Sequence, residues 1–205
     1  SDTEIAHHVE LVLQNIKGNG VSIKNYKTKG CTQLTIYQNA RKNIFTYVAN
    51  IIDNLNINIV DARIITLKGN RALDTYLLLD QKGEFIKDTH TIEFLKNKIS
   101  DLLYNQEFKI SKVTKKQTES ISTFKNFINI DISQKSFDLL VEIKTLDHPG
   151  LLSKICESFD SCNLMIKDAK IATLGEEAND IFTVFSANKK VLLIGDIEAI
   201  KSGIK

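Results

Sequence analysis

The apolar positions of this 205-residue chain change period from segment to segment, and each change marks an element. Ile5, Val9, Val12 and Leu13 recur at helical spacing behind Asp2 or Thr3 as a cap, and Gly18-Asn19-Gly20 ends the run. Residues 1–30 therefore read as an amino-terminal helix and linker. Residues 31–38 are β-rich, 39–43 form a turn, and Ile44, Phe45, Val48, Ile51, Ile52 and Leu55 draw one apolar stripe along a helix over 44–54. A β-branched run over 57–67, a turn at 68–71 containing Gly69 and a second run over 73–79 read as a hairpin. Ile92, Leu95, Ile99, Leu102 and Leu103 place an amphipathic helix over 88–105, opened by Asp88 or Thr89 with Glu93 in its first turns. After a polar stretch at 109–122, residues 124–132 alternate as a strand and complete β-α-β-β-α-β.

The same order then returns: strand 137–145, turn 146–150, helix 151–162, strand 164–174, strand 180–187 and a helix near 196–204. The octet Asp61-Ala62-Arg63-Ile64-Ile65-Thr66-Leu67-Lys68 reappears as Asp168-Ala169-Lys170-Ile171-Ala172-Thr173-Leu174-Gly175. At the same spacing Ile36 matches Ile143, Val48 matches Ile155, Ile52 matches Phe159, Asn56 matches Asn163 and Ile59 matches Ile166. Past the octet a one-residue deletion aligns Asp74 with Asp180 and Tyr76 with Phe182. One unit is therefore used twice, over 31–132 and 133–205. The fold class is α+β: two ferredoxin-like βαββαβ units, the second lacking its own last strand. The open sheet edge of that second unit must be covered or paired, with 124–132 or a neighbouring chain as candidates. Units this small bury a modest share of their surface, so they are expected to share an apolar interface, to fold poorly alone, and to admit a homodimer.

Composition narrows the function. Hydrophobic residues make up 42% of the chain and the net charge is +2. Lysines and acids are interspersed rather than segregated, which disfavours nucleic acid as a partner. The acid-free run of Lys109, Lys112, Lys115 and Lys116 reads as a solvated connector. Three cysteines, Cys31, Cys156 and Cys162, form no Cys-x-x-Cys pair and leave an odd count, against both a disulfide framework and zinc. Cys156 and Cys162 read as small core residues. No apolar run approaches the roughly 18 residues of a membrane span, and the first residues lack a signal-peptide pattern. No membrane partner and a cytoplasmic location are expected. His7 and His8 diverge by about 100° on a helix, cannot readily share a metal, and are expected at the surface. His90 and His148 have no second ligand at metal spacing, so no metal is expected.

The turn Leu146-Asp147-His148-Pro149-Gly150-Leu151-Leu152 carries the most chemistry. Pro149 presets φ for a helix start, Asp147 can cap, and Gly150 lets backbone approach a ligand, so N–H groups at the helix start can face an anion such as an α-carboxylate. If Asp147 is not used as a cap, it can face an α-ammonium. The competing reading is a plain strand-to-helix turn with a good cap. In the first unit the equivalent turn is Asn39-Ala40-Arg41-Lys42-Asn43, where Asn43 tolerates positive φ yet would crowd a ligand. Asp61 and Asp168 invite an acid/base or metal reading. A structural role, bonding amides at a bulge or a partner cation, suits a carboxylate inside an apolar strand better.

The turn with its Asp-x-Pro-Gly-Leu-Leu pattern, followed by Ile155 and Ile166-Lys167-Asp168-Ala169-Lys170-Ile171, resembles the ACT domain, a βαββαβ module that binds amino acids. The paired Asp-Ala-(Arg/Lys)-Ile-x-Thr strands, Ala72-Leu73-Asp74-Thr75-Tyr76 and Ile5-Ala6-His7-His8 resemble the carboxy-terminal tandem ACT region of the bacterial bifunctional uridylyltransferase/uridylyl-removing enzymes, over nearly the whole chain. Those enzymes carry a Gly-Ser motif, an Asp-x-Asp metal pair and a His-Asp hydrolase motif, none of which is present here. The resemblance implies a glutamine-sensing regulatory module, not catalytic by itself and without a cofactor. Its partners would be glutamine, upstream catalytic domains of the same polypeptide and, through them, the PII signalling protein. It places the ligand at Leu146 to Leu152, against Ile166, Lys167, Asp168 and Ala169 of the second unit or against the matching Ile59 to Ala62 strand of the first. A possible second site joins Asn39, Arg41 and Asn43 to Val60, Asp61 and Ala62 of the matching strand that starts at Ile59. The alternative function is a protein interaction or dimerisation module with no small ligand. An RNA-binding ferredoxin-like fold is disfavoured, because the strands lack the aromatic motif that stacks bases.

Overall fold

The computed structural model describes residues 2–41, 43–105, 128–135, 138–147, 150–174, 177–186, 197–198 and 200–202. Its elements run α1 (Asp2–Gln14), β1 (Gly20–Tyr26), β2 (Cys31–Asn39), α2 (Ile44–Asn54), β3 (Asn58–Leu67), β4 (Arg71–Leu79), α3 (Thr89–Tyr104), β5 (Ile128–Lys135), β6 (Asp138–Leu146), α4 (Leu151–Ser161), β7 (Leu164–Lys170), β8 (Thr173–Leu174) and β9 (Glu177–Ser186). The final helix expected near 196–204 is represented by helical residues at 197–198 and 200–202, with Ile200 fully buried; its remainder and the 109–122 connector lie outside the described residues.

The nine strands form one antiparallel sheet in the order β1-β2-β4-β3-β7-β9-β6-β5, with β8 on β9. The two halves mirror each other about a joint where Arg63 of β3 pairs with Lys170 of β7. Those two residues are each other's counterparts in the repeat, so the joint lies on a pseudo-twofold axis.

The topology corrects two expectations. Residues 20–26 are a strand, not a linker: β1 pairs along its length with β2, Val21 opposite Ile36. Gly20 begins that strand instead of stopping a helix, and it is glycine because an added Cβ would lie 2.7 Å from the Asn15 Nδ2 packed there. The strand expected over 124–132 starts at Ile128 within the described residues and pairs with β6, Ile130 opposite Ile143, so it closes the second unit rather than the first. The open edge of the second unit is therefore filled from within the chain, by one of the two candidates. Both units take their outer strand from the segment preceding them, which makes each a ββαββα permutation of the ferredoxin-like order.

Helices α2, α3 and α4 cover one face and share a single core that crosses the joint, joining Leu34, Ile52, Tyr76 and Leu95 to Ile143, Ile155, Phe159 and Phe182. Asp88 caps α3 by accepting from His90 N and Thr91 N, as its position predicts. Helices α2 and α4 each close on an asparagine in the left-handed region, Asn56 (φ 54°) and Asn163 (φ 56°). Helix α1 lies on the other face, where Leu11 packs on Tyr37 and Leu73. That placement overturns the surface expectation for His7 and His8. The helix turns them onto the sheet, where Lys24 Nζ donates to His7 Nδ1 at 2.8 Å and His8 Nε2 sits 3.4 Å from Gln33 Nε2 and Thr75 Oγ1. Cys156 is buried in the core as expected, and Cys162 is half-buried. No helix among the described residues is long and apolar enough to cross a membrane.

A core shared across the joint has a measurable consequence. All five tyrosines, at 26, 37, 47, 76 and 104, lie in the first unit, before β5 begins. Ile155→Ala in the second unit should cost about 2–5 kcal/mol and lower the urea midpoint read by tyrosine fluorescence together with that read by circular dichroism. A tyrosine midpoint that stays put would mean that the units melt independently.

Candidate functional site

Antiparallel packing of α2 on α4 places the start of each helix beside the end of the other. Thr46 Oγ1 in the first turn of α2 donates to Asp160 Oδ2 in the last turn of α4 at 2.7 Å. At the other end, a Cβ on Gly150 would come within 3.7 Å of Asp53 Oδ2. Two crevices result, one at each end of the helix pair and related by the pseudo-twofold.

The first, about 300 Å³, is lined by Asp147, Gly150, Leu151, Leu152 and Ser153 from the turn and the start of α4, by Asp53 from α2, by Asn58 and Ile59 from β3, and by Asp180 from β9. That volume is at the lower end of small-molecule sites. Gly150 stands at the α4 N-cap with φ 84° and supplies no side-chain cap. Asp147 is exposed at the rim rather than caged as a cap. The Ser153 hydroxyl is buried without a partner. Aspartates 53, 147 and 180 are its charged lining, with no Lys or Arg among the described lining residues.

The second crevice, about 100 Å³, is lined by Gln38, Arg41, Asn43 and Thr46 from the first unit, Asp74 from β4, and Asp160, Met165 and Ile166 from the second. Asn43 does adopt positive φ, 64°, as its residue type permits. Gln38 Nε2 donates to Asp74 Oδ2 at 2.8 Å, and Arg41 Nη2 donates to Leu102 O. Gln38 Oε1, Asn43 Oδ1 and Asp74 Oδ1 are buried without partners.

The expected site residues thus divide crosswise. Asp147, Gly150, Leu151 and Leu152 meet the first unit's β3 at Ile59, while Ile166 joins Arg41 and Asn43 in the other crevice. Leu146 ends β6 and pairs with Glu177. His148 and Pro149 lie outside the described residues. Lys167 is exposed and pairs with Asp138 at 2.6 Å, Asp168 is exposed, and Ala169 is buried in the core. Asn39 ends β2 and accepts from Arg71, Val60 and Asp61 are half-buried, and Ala62 is buried in the core. Beside Asp61 and Asp168 the β3–β4 and β7–β9 registers shift at the same repeat position, a duplicated bulge.

Asp74 and Asp180 are the residues that the pattern reading passed over. The signal was available: the repeat aligns them, as acids on otherwise apolar strands. Burial pushes both carboxyls up to about 7, opposed at Asp74 by the Gln38 N–H and at Asp180 by the Ala172 N–H, while the Asp147 charge adds to the rise at Asp180.

No family model matches the chain. Aspartate kinase from Synechocystis has a TM-score of 0.47 and 12% identity, over 86% of this chain and 26% of its own. The bifunctional uridylyltransferase/uridylyl-removing enzyme of Acinetobacter baumannii is 30% identical over 100% of this chain and 24% of its own length. Those of Psychrobacter cryohalolentis and a further Psychrobacter species are 30% and 31% identical over 84% and 83% of the chain, and 19% of theirs. This chain thus spans about a quarter or less of these relatives, and the remaining three quarters or more, with the catalytic domains, have no counterpart in it.

The buried carboxyls predict a pH dependence. An unfolded Asp ionises near 3.9, so between that pH and about 7 the folded chain holds protons that the unfolded chain releases. The stability that the neutral acids contribute is complete below the unfolded pKa and is lost as pH rises through 7. Asp74→Asn keeps the Gln38 contact without the charge. Its stability relative to wild type in urea should improve steadily from pH 5 to pH 8, whereas a constant difference would contradict the shift. With its crevices placed, the chain belongs with the bifunctional uridylyltransferase/uridylyl-removing enzymes, as kin to a segment about a quarter of their length.

Proposed function

We propose that the chain is a regulatory module that senses an amino acid, glutamine above others, in the larger crevice at the start of α4. The observation that carries this reading is the open mouth at Gly150, where the helix start meets two carboxylates contributed by different units. An α-carboxylate suits the N–H groups and positive dipole end of α4. An α-ammonium suits Asp147 and Asp53, and the crevice wall of Ile59 and Leu151 suits the aliphatic stem of the side chain. A zwitterion is the ligand class that satisfies both ends at once.

Because the two walls belong to different units, an occupant stabilises one packing of the units over others, and its differential affinity sets how far anything attached can be switched. In a longer polypeptide of the relatives' kind, the attached parts would be uridylyl-transferring and uridylyl-removing domains, acting in the cytoplasm on the PII signalling protein. The module itself performs no catalysis and needs no cofactor.

A second reading, a docking module, is favoured by one feature: Ile5, Val9, Leu13 and Ile16 of the α1 region are half or more exposed along one outward stripe. Binding of an amino acid separates the two. Glutamine titrated calorimetrically into the chain should give a saturable heat. Gly150→Asp adds a Cβ at positive φ and a charge facing Asp53, and should weaken binding at least several-fold, about 1–3 kcal/mol. Asn43→Asp should matter less, because the smaller crevice lacks the glycine. With the fold verified by circular dichroism, equal losses, or none at Gly150, would overturn the assignment.

A further inference from the structure

The two crevices are repeats of one design, and three of the substitutions between them change how their polar groups are used. Gln38, which occupies Asp74 from the neighbouring strand, is replaced by Thr145; Thr46, which is tied to Asp160, is replaced by Ser153; and Asn43 is replaced by Gly150. The first two replacements leave the larger crevice with a polar group whose counterpart is engaged, and the third opens its mouth. Asp180, 3% exposed, has one hydrogen bond among the described residues, from Ala172 N at 3.4 Å. Ser153, 7% exposed, has a hydroxyl with no partner among the described residues. Both line the space where the proposed ligand sits.

Resting on the reading that an amino acid occupies this crevice, we infer that Asp180 and Ser153 determine its specificity by selecting an uncharged carboxamide side chain over a carboxylate. A carboxamide presents an NH2 that donates to the Asp180 carboxyl and a C=O that accepts from the Ser153 hydroxyl, so both buried groups are satisfied by one planar group. Above about pH 7, where Asp180 is ionised, a carboxylate at the same place meets it with a like charge. Asp147 from the turn adds to that repulsion. Apolar side chains of similar length leave both groups buried and unpaired, and sites built to hydrogen-bond a substrate group reject analogues that lack it. The smaller crevice has orphaned oxygens too, on Gln38, Asn43 and Asp74, but its acids Asp74 and Asp160 each hold a side-chain donor. Across the pseudo-twofold, Gln38 and Asp160 already hold the equivalents.

Calorimetric titration of glutamine and glutamate into the 205-residue chain tests it. Wild type should prefer glutamine by at least about tenfold. Asp180→Asn keeps the shape, removes the charge and adds a donor, so glutamate should gain and the preference should shrink to a few-fold. Ser153→Ala, which perturbs the fold least, should weaken glutamine about fivefold. Asp74→Asn, the matching change in the other crevice, should leave the preference as in wild type. If glutamine binds wild type but Asp180→Asn and Ser153→Ala leave both its affinity and the preference unchanged, this inference fails alone. An equal shift from Asp74→Asn also sinks it. If no amino acid binds wild type, the ligand reading fails and this one with it. Should Asp180→Asn not fold, Ser153→Ala decides the matter.

Discussion

Everything that could bind a ligand here depends on one antiparallel seam, where Arg63 of β3 meets Lys170 of β7. Because the partners are counterparts in the repeat, the seam forces a twofold relation on all that hangs from it. Helices α2 and α4 must run in opposite directions, each beginning where the other ends. This explains two acids at otherwise unfavourable places. Asp53 and Asp160 occupy last turns, where a carboxylate opposes its own helix dipole. Each lies instead beside the start of the partner helix, against Gly150 and Thr46 respectively, where negative charge is favourable. The seam has a cost of its own, since two cations directly opposite repel. By register, Asp168 and Asp61 are the diagonal neighbours of Arg63 and Lys170, which gives the recurrent acids an electrostatic reason to recur without any catalytic role.

Duplication followed by divergence is visible at single residues. In the first unit Gln38 and Thr46 engage Asp74 and Asp160, and Asn43 crowds the mouth of the smaller crevice. Asp74 is held inside the β3–β4 ladder opposite Ile64. In the second unit the ladder breaks after Lys170, where Ala172 N turns to Asp180, and β8 resumes at Thr173. A broken ladder beside a buried acid is a local conflict of the kind tolerated where a site needs it.

Most helices and hairpins were legible because their apolar periods are unambiguous, and the Asp88 cap and the Asn43 turn followed from residue chemistry. What was not legible was allegiance. Gly20–Tyr26 has only Val21 and Ile23 facing the core, within a polar, glycine-flanked stretch that periodicity reads as linker. The strand ending in Ile130 and Ile132 has an apolar pattern that fits either unit, since sequence period says nothing about which edge a strand joins. The crosswise pairing of the second unit's turn with the first unit's strand at Ile59 was one of two alternatives that the sequence left open. Gly150 and Ile59 meet only because two units pack about an axis, and no local pattern encodes that.

Closure of each unit by the strand before it also places the weak point. β1 and β5 zip onto β2 and β6 as hairpins, contacts of short sequence separation that form early and hold their units shut. The seam between units has by contrast a single pair in register. Opening or sliding at that seam disturbs few backbone hydrogen bonds, so the core shared beneath it, more than the ladder, holds the units together. Both crevices straddle the seam. The proposed ligand, bridging Gly150 and Asp53, would act where the sheet has the fewest ladder bonds to resist it.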